Sequence, residues 1–460
     1  MIIDLSTPNT RAFVKQISTA SLGDHSYIIV VGDEAVAIDI QRDLDRFEAV
    51  LDGIDASLEA VFETHIHNDY VSGGKHFAEE HNATYVLPAN TGATYEHTAL
   101  TDGDTVGVGG WVVRAMHTPG HTHNHTSYVL ESDDGPVAIF SGGSMLVGAV
   151  GRSDLLGPDH TEALLKGQYE SAHRIADVLP DPSIVAPTHG SGSFCSASDV
   201  ADTTSTVGLE KLRNPALIAP SLEAFAMGQV MGYKQYPVYY KHMAPSNLLP
   251  LGRPHTAELP LLTSLDQVGD APIIDVRPFE EYAAGHLAGS LSFPVSTDDA
   301  VYMGWTLEWD SPVVLVGTKP DVEEVRTHLL RIGWDTIVGR IEPETLDILT
   351  DGDLLTMDVV KFADLPDDLS SEPGSGLGVV VDVRDPVEHL AGVIPGARLG
   401  HLVDIATDPG AFSGDEVLVH CQGGYRAAVA AGFIEATGAS VTVVYDDLFN
   451  YTGQLTGPGM

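Results

Sequence analysis

The chain has 460 residues, of which 65 are acidic and 23 basic, giving a formal net charge of −42. That balance excludes nucleic-acid backbones and anionic membrane surfaces as partners. The length predicts about two to four domains rather than one core. Two cysteines leave no room for a disulfide framework and fit a reducing cytoplasm. No apolar run reaches membrane-spanning length, and residues 1–6 lack the basic-then-apolar pattern of a secretory signal. A homo-oligomer is compatible with all of these features.

In chain order, short apolar runs at residues 26–31, 35–39 and 60–63 alternate with glycine turns and helical stretches, which predicts a layered α/β domain over residues 1–215. Directly after the third run comes Glu63-Thr64-His65-Ile66-His67-Asn68-Asp69-Tyr70. His65 and His67, two apart where the chain bends, can both turn toward one ion, and Asp69 adds a carboxylate. His121 beside Pro119-Gly120, and His189 after Ala186-Pro187-Thr188, place further ligand types at strand ends. His123 and His125 read as supporting groups or surface, Tyr128 as core, and Cys195 as a buried thiol. Residues 216–253, with Tyr236-Pro237-Val238-Tyr239-Tyr240, read as a connecting arm packed on its neighbours.

The remainder contains a repeat. Ile273-Ile274-Asp275-Val276-Arg277 returns as Val380-Val381-Asp382-Val383-Arg384, each followed by a glycine turn, at Gly285 and at Gly392. Two small α/β domains are predicted, 254–350 and 355–460, with the Ser-, Gly- and Pro-rich residues 368–378 as their joint. In the second copy the strand Val417-Leu418-Val419-His420 delivers Cys421 into the loop Gln422-Gly423-Gly424-Tyr425-Arg426, and an alanine-rich helix start follows. Backbone N–H groups and the positive end of a helix dipole therefore converge on the sulfur. Four residues separate Cys421 from Arg426, one fewer than in the phosphate-holding loop of tyrosine phosphatases, and the tighter ring suits a single extra sulfur atom. The first copy offers Gly317-Thr318-Lys319-Pro320 after its strand. Without a cysteine it cannot carry a persulfide and reads as a degenerate scaffold.

The Cys421 segment resembles the active-site loop of rhodanese sulfurtransferases, and the ordered histidines of residues 10–215 resemble the metallo-β-lactamase superfamily. The implied fold class is α/β: an αββα metallo-β-lactamase-fold sandwich followed by two α/β rhodanese-like domains. The fusion is similar to persulfide dioxygenases joined to rhodanese domains. The resemblance implies Cys421 as nucleophile, Arg426 with the loop amides as anion stabiliser, and Gln422, Gly423, Gly424 and Tyr425 as the substrate frame. It places Arg152 near a bound thiol, with Asp154 holding its guanidinium. The implied metal set is drawn from His65, His67, His121, Asp69 and His189, holding Fe(II), with Zn(II) as the alternative. The implied substrates are a low-molecular-weight thiol persulfide and thiosulfate or sulfite. Two departures favour one metal over two: Tyr70 stands where the superfamily has a histidine, and Gly143 where it has a bridging aspartate. An aspartate returned to position 143 is expected to tighten divalent-metal binding if the turn tolerates a side chain. A non-catalytic docking module, or a single-zinc thioester or lactone hydrolase with Asp69 as base, are the alternatives.

Only eight of the basic residues are lysine. Such an acidic, lysine-poor coat is similar to that of proteins from salt-loving organisms, where ions screen self-repulsion. The melting temperature is expected to rise from low to molar salt, where the screening length falls to about 3 Å. A melting temperature indifferent to salt would contradict this.

Overall fold

The computed structural model describes all residues except 197–199, 250–251, 255–256, 351–352, 367–368, 370–377 and 458–460. The joint expected at 368–378 therefore lies outside the described residues, apart from Leu369 and Gly378. The chain divides into two compact units, Met1–Pro254 with Leu330–Gly333, and His255–Leu329 with Trp334–Met460. Among the described residues no helix is long and apolar enough to cross a membrane.

The first unit is built on two sheets. Strands β1 (Ile2–Asp4), β2 (Ala12–Thr19), β3 (Asp24–Val31), β4 (Glu34–Ile38), β5 (Ser57–Phe62), β6 (Thr84–Pro88) and β7 (Thr98–Leu100) lie side by side in that order. The second sheet runs in the order β13 (Ser205–Thr206), β12 (Ile184–Pro187), β11 (Gly135–Gly142), β10 (Thr126–Ser132), β9 (Trp111–His117) and β8 (Thr105–Val108). The period of two in β3 explains the layering. Tyr27, Ile29 and Val31 enter the core between the sheets, where they meet Phe62, Tyr128 and Phe140, while Ile28 and Val30 face the opposite way. That outer face is covered by helices α1 (Asp45–Asp52) and α2 (Gly74–His81) through Phe47, Leu51 and Phe77. On the second sheet Val129 and Ile139 turn outward against Leu165, Ala172 and Ile175 of α3 (Pro158–Val178) and Phe225 of the helix Leu222–Gly232. All eight residues of β3 are buried, as a strand covered on both faces requires. The resulting order of layers is αββα. The rings of Tyr27 and Phe140 meet across it at 5.1 Å, a contact whose truncation to alanine costs about 3–5 kcal/mol.

Residues 216–253 contain the helices Leu222–Gly232 and Tyr240–Leu248. Phe225 packs in the outer core, and the Asn247 amide donates to the carbonyls of His67 (3.0 Å) and Tyr70 (2.8 Å).

The second unit holds two parallel sheets that share a plan. In the first, Leu291–Ser292, Ile273–Asp275, Val313–Val316 and Ile337–Ile341 are neighbours in that order. In the second the order is Asp358–Val360, Ser440–Val444, Glu416–His420, Val379–Asp382 and Arg398–Leu399. The repeated Asp-Val-Arg is a structural lock in both. Arg277 forks onto Asp275 and reaches the Gly285 carbonyl at 2.8 Å, and Arg384 forks onto Asp382 and reaches the Gly392 carbonyl at 2.7 Å. These bidentate, largely buried pairs tie the first strand to the glycine turn after it. The register equates the two copies: Asp275 is paired with Val316, and Asp382 with His420. The next residue is Gly317 in one copy and Cys421 in the other.

Candidate functional site

In the first unit the strand ends converge. Beyond Phe62 at the end of β5 the chain turns through His65, His67 and Asp69; beyond β9 through His121; beyond β12 through His189. All five side chains are at most 1% exposed. The ring centroids of His65 and His121 are 4.8 Å apart, and those of His121 and His189 5.1 Å. The ligand atoms of His65, His121 and His189 lie within 4.8 Å of one another, as do those of His67, Asp69 and His189.

Each histidine has one nitrogen committed to an acceptor and the other free. His121 Nδ1 donates to the Arg152 carbonyl at 2.7 Å, His65 Nδ1 meets Thr64 Oγ1 at 2.9 Å, and His189 Nδ1 meets Asp24 Oδ1 at 2.9 Å. His67 uses Nε2, facing Asp39 at 3.2 Å and Glu63 at 3.1 Å. The other nitrogens, Nε2 of His65, His121 and His189 and Nδ1 of His67, are buried without a partner, as is Asp69 Oδ1, while Asp69 Oδ2 lies 3.3 Å from His189 Nδ1. Unpaired buried polar atoms are costly, and here they share one place. Partners on the far nitrogens fix ring orientation as the outer shell of a metal site does. The residues present fit a metal ion.

Charge around the centre is divided. Burial alone would lower His67, but Asp39 and Glu63 outweigh it and raise it to about 10. Burial opposes protonation of His189 too, yet Asp69 and Asp24 bring it to about 10. Burial and neighbouring histidines push His65 well down, and burial with His189 lowers His121 to about 3. A cation would displace the protons of His67 and His189, so affinity for it weakens as pH is lowered.

Arg152 is 4% exposed, and its guanidinium is occupied by protein: Asp154 at 2.7 and 2.8 Å, the carbonyls of Phe194 and Lys234 at 3.1 and 3.0 Å, and the faces of Tyr233 and Tyr236. It anchors the segment whose carbonyl orients His121. His125 is fully buried and accepts the Gly143 N–H at 2.9 Å, while His123 pairs with His160 at the surface. Tyr128 is core, its hydroxyl on the Glu63 carbonyl at 2.9 Å. The buried Cys195 thiol is held well above its usual range by burial, then by Asp69 and Asp24.

In the second unit Cys421 follows the buried strand Glu416–His420, and the helix Tyr425–Glu435 begins four residues later. The Gly424 N–H donates to Cys421 Sγ at 3.0 Å. Gly424 has φ of 94°, and a Cβ there would lie 2.7 Å from the Tyr445 ring, so only glycine fits. Gln422 is tied to Asp447 at 3.0 Å through its amide, and Gly423 is exposed. Tyr425 packs against Tyr302 of the cysteine-less copy at 5.5 Å. Arg426 forks onto Glu388, one arm at 2.9 Å, and reaches the cradle with its charge already countered.

Residues 261–340 and 365–454 match the family model for the rhodanese-like domain. The chain is 29% identical over 214 residues to the hydroxyacylglutathione hydrolase of Gloeobacter violaceus, covering 42% of this chain and 84% of that one. A solved metallo-β-lactamase from Staphylococcus aureus superposes with a TM-score of 0.67 and 29% identity, covering 72% of this chain and 99% of that one. This chain is a metallo-β-lactamase-fold region followed by two rhodanese-like domains. The share of the S. aureus likeness exceeds what the first unit alone could supply. ETHE1 from Myxococcus xanthus aligns at 28% identity over 51% of this chain and 97% of its own, with a TM-score of 0.45. The chain spans under half the length of the fungal atrochrysone carboxyl ACP thioesterases it also matches, 30% for that of Aspergillus fumigatus.

At Gly143 of the metallo-β-lactamase-fold region, space decides the residue. A Cβ there would lie 2.5 Å from His121 Cδ2 and 2.6 Å from Cγ. Gly142, not Gly143, has positive φ, at 53°. The ring of His121 fills the room that a side chain at 143 would need. Tyr70, in the other departed position, sets its hydroxyl 3.0 Å from His67 Nε2. Sequence reading passed over Asp24, Asp39, Glu63, Tyr239 and Asn247. Tyr239 donates to the Asp69 carbonyl at 3.1 Å; the aromatic-rich arm was the one signal that could have pointed to it. In the rhodanese-like domains it passed over Glu388 and Tyr302.

Proposed function

We propose that the protein handles sulfane sulfur in a reducing cytoplasm: Cys421 carries it as a persulfide, and the metal centre acts on a low-molecular-weight thiol bearing the same sulfur. The observation that supports this most is the Gly424 N–H on Cys421 Sγ, at a strand end and a helix start. The Cys421 thiolate attacks the outer sulfur of thiosulfate, the S–S bond breaks, and sulfite leaves with the electron pair. Attack on that sulfur by cyanide or a thiol's thiolate restores the Cys421 thiolate. The loop amides stabilise the negative charge throughout.

A metal at the histidine centre, Fe(II) or else Zn(II), would supply activation of O₂ or of water beside a bound thiol compound. His65 and His121, with His67, Asp69 and His189, would hold it. Sulfite, the product of oxidising a persulfide's outer sulfur, is also an acceptor for the sulfur on Cys421, so the two activities share one pool. A hydrolytic reading, with a single Zn(II) and Asp69 as base, is favoured by the likeness to the G. violaceus hydrolase over 84% of that protein.

The test is metal analysis of protein purified without added metal, combined with oxygen uptake on a low-molecular-weight persulfide. Iron with uptake is the expected result. Zinc with thioester hydrolysis would transfer the case to the hydrolytic reading, and no metal would leave the region a docking module.

A further inference from the structure

We propose that the cleft of the cysteine-less rhodanese-like copy seats the carrier thiol that brings sulfur to Cys421, and that it takes a thiol bearing an ammonium group. The inference rests on reading Cys421 as a sulfur carrier. Beyond the ends of Ile273–Asp275 and Val313–Val316 this copy holds a cavity of about 340 Å³, lined by the apolar Val276, Pro294 and Val295 and by Glu280, Glu281 and Asp321. Crevices outside the carboxyl ends of parallel strands are where such sheets bind ligands, and the volume suits a small molecule.

The cavity shares a wall with the Cys421 cradle. Tyr445 lines it, and the same residue packs so closely on Gly424 that a Cβ there would lie 2.7 Å from its ring. Gly424 is the residue whose N–H holds Cys421 Sγ at 3.0 Å. Phe279 of the cysteine-less copy meets the Tyr445 ring at 4.9 Å. One aromatic residue therefore belongs to both the cradle and the cleft.

The two copies differ in charge at matching positions. Glu388, four residues after Arg384, is paired with Arg426. Glu281 stands four residues after Arg277, but the buried Val322 holds the place of Arg426, five residues beyond the position that Gly317 shares with Cys421. The loop therefore brings Glu281 no arginine. The other cations of this region are engaged, Arg277 with Asp275 and Lys319 with Glu258 at 2.6 Å. A cleft with this balance attracts a cationic group and repels an anion. Thiosulfate, small enough to sit in the cradle alone, does not need the cleft.

For a carrier persulfide R–S–SH, the Cys421 thiolate attacks the outer sulfur and the S–S bond breaks. The outer sulfur keeps its proton on Cys421, and R–S⁻ leaves with the electron pair, its charge offset by its own ammonium.

The test loads the full-length protein anaerobically with the persulfides of cysteamine, 2-mercaptoethanol and 3-mercaptopropionate, and follows the Cys421 persulfide by mass spectrometry. Cysteamine persulfide is expected to half-saturate loading at the lowest concentration and the 3-mercaptopropionate compound at the highest. Glu280→Gln combined with Glu281→Gln is expected to narrow the ratio between these two by about 5–30-fold. Thr318→Trp, at an exposed residue lining the cavity, is expected to raise the concentration of cysteamine persulfide required relative to that of thiosulfate. Equal loading by the three donors in wild type, or either ratio unchanged in its variant, would overturn the role of the cleft alone. A wild type whose Cys421 takes sulfur from none of them, nor from thiosulfate, would overturn the sulfur-carrier reading together with it.

Discussion

Cys421→Ser is expected to reduce thiosulfate-to-cyanide sulfur transfer at least about 1000-fold, more than 4 kcal/mol of barrier, with metal content unchanged. Serine preserves the size of the side chain and the Gly424 N–H contact, so the loop keeps its form. What is lost is an ionised, polarisable nucleophile able to hold an outer sulfur. The first copy cannot substitute, since its register places Gly317 at the corresponding position. Cys195, the one other thiol, is buried and resists ionisation. Transfer that survives in Cys421→Ser, assayed as thiocyanate formation, would remove Cys421 from the mechanism.

His121→Ala is expected to leave under about a tenth of the wild-type metal. His121 brings from beyond β9 one of the three ligand nitrogens that lie within 4.8 Å of one another, and its loss leaves only those of His65 and His189. Gly143→Asp is expected to act in the same direction. Its Cβ would lie 2.5 Å from the His121 ring, so a carboxylate enters only by displacing that ring, at an overpacking cost of about 1–3 kcal/mol. The condition under which the sequence led us to expect tighter binding from an aspartate at 143, a turn that tolerates a side chain, is therefore not met. Metal per chain and melting temperature, measured on both variants, decide the matter. Full metal content in His121→Ala, or tighter binding in Gly143→Asp, would show the assigned geometry to be wrong.

The chemistry-bearing residues could be read from the chain because each stands beside a local signal. Cys421 follows an apolar strand and precedes glycines, and the histidines follow strand ends. The layered fold was readable because the apolar runs that form β3, β4 and β5 are short and separated by turns. The supporting carboxylates could not be read. Asp24, Asp39 and Glu63 are three acids among 65, and nothing local separates a buried carboxylate facing an imidazole from one in a solvated coat. Gly143 was visible as an absent ligand, but its steric reason depends on a ring 22 positions earlier in the chain. Residues 216–253 looked like a tether because prolines and aromatics obscure helical periodicity; their helices hold the first histidine motif in place through Asn247.

The centre's components come from residues 24 to 189, and the bond between Asp24 and His189 alone spans 165 positions. In an unfolded chain only His65, His67 and Asp69 stay close together, so the full set of groups is assembled by folding alone. An ion that needs the finished centre would bind the folded unit more tightly than the denatured chain, so its affinity would add to the stability of this unit. An ion bound there would raise the melting temperature of this unit, and a chelator would return it to the metal-free value.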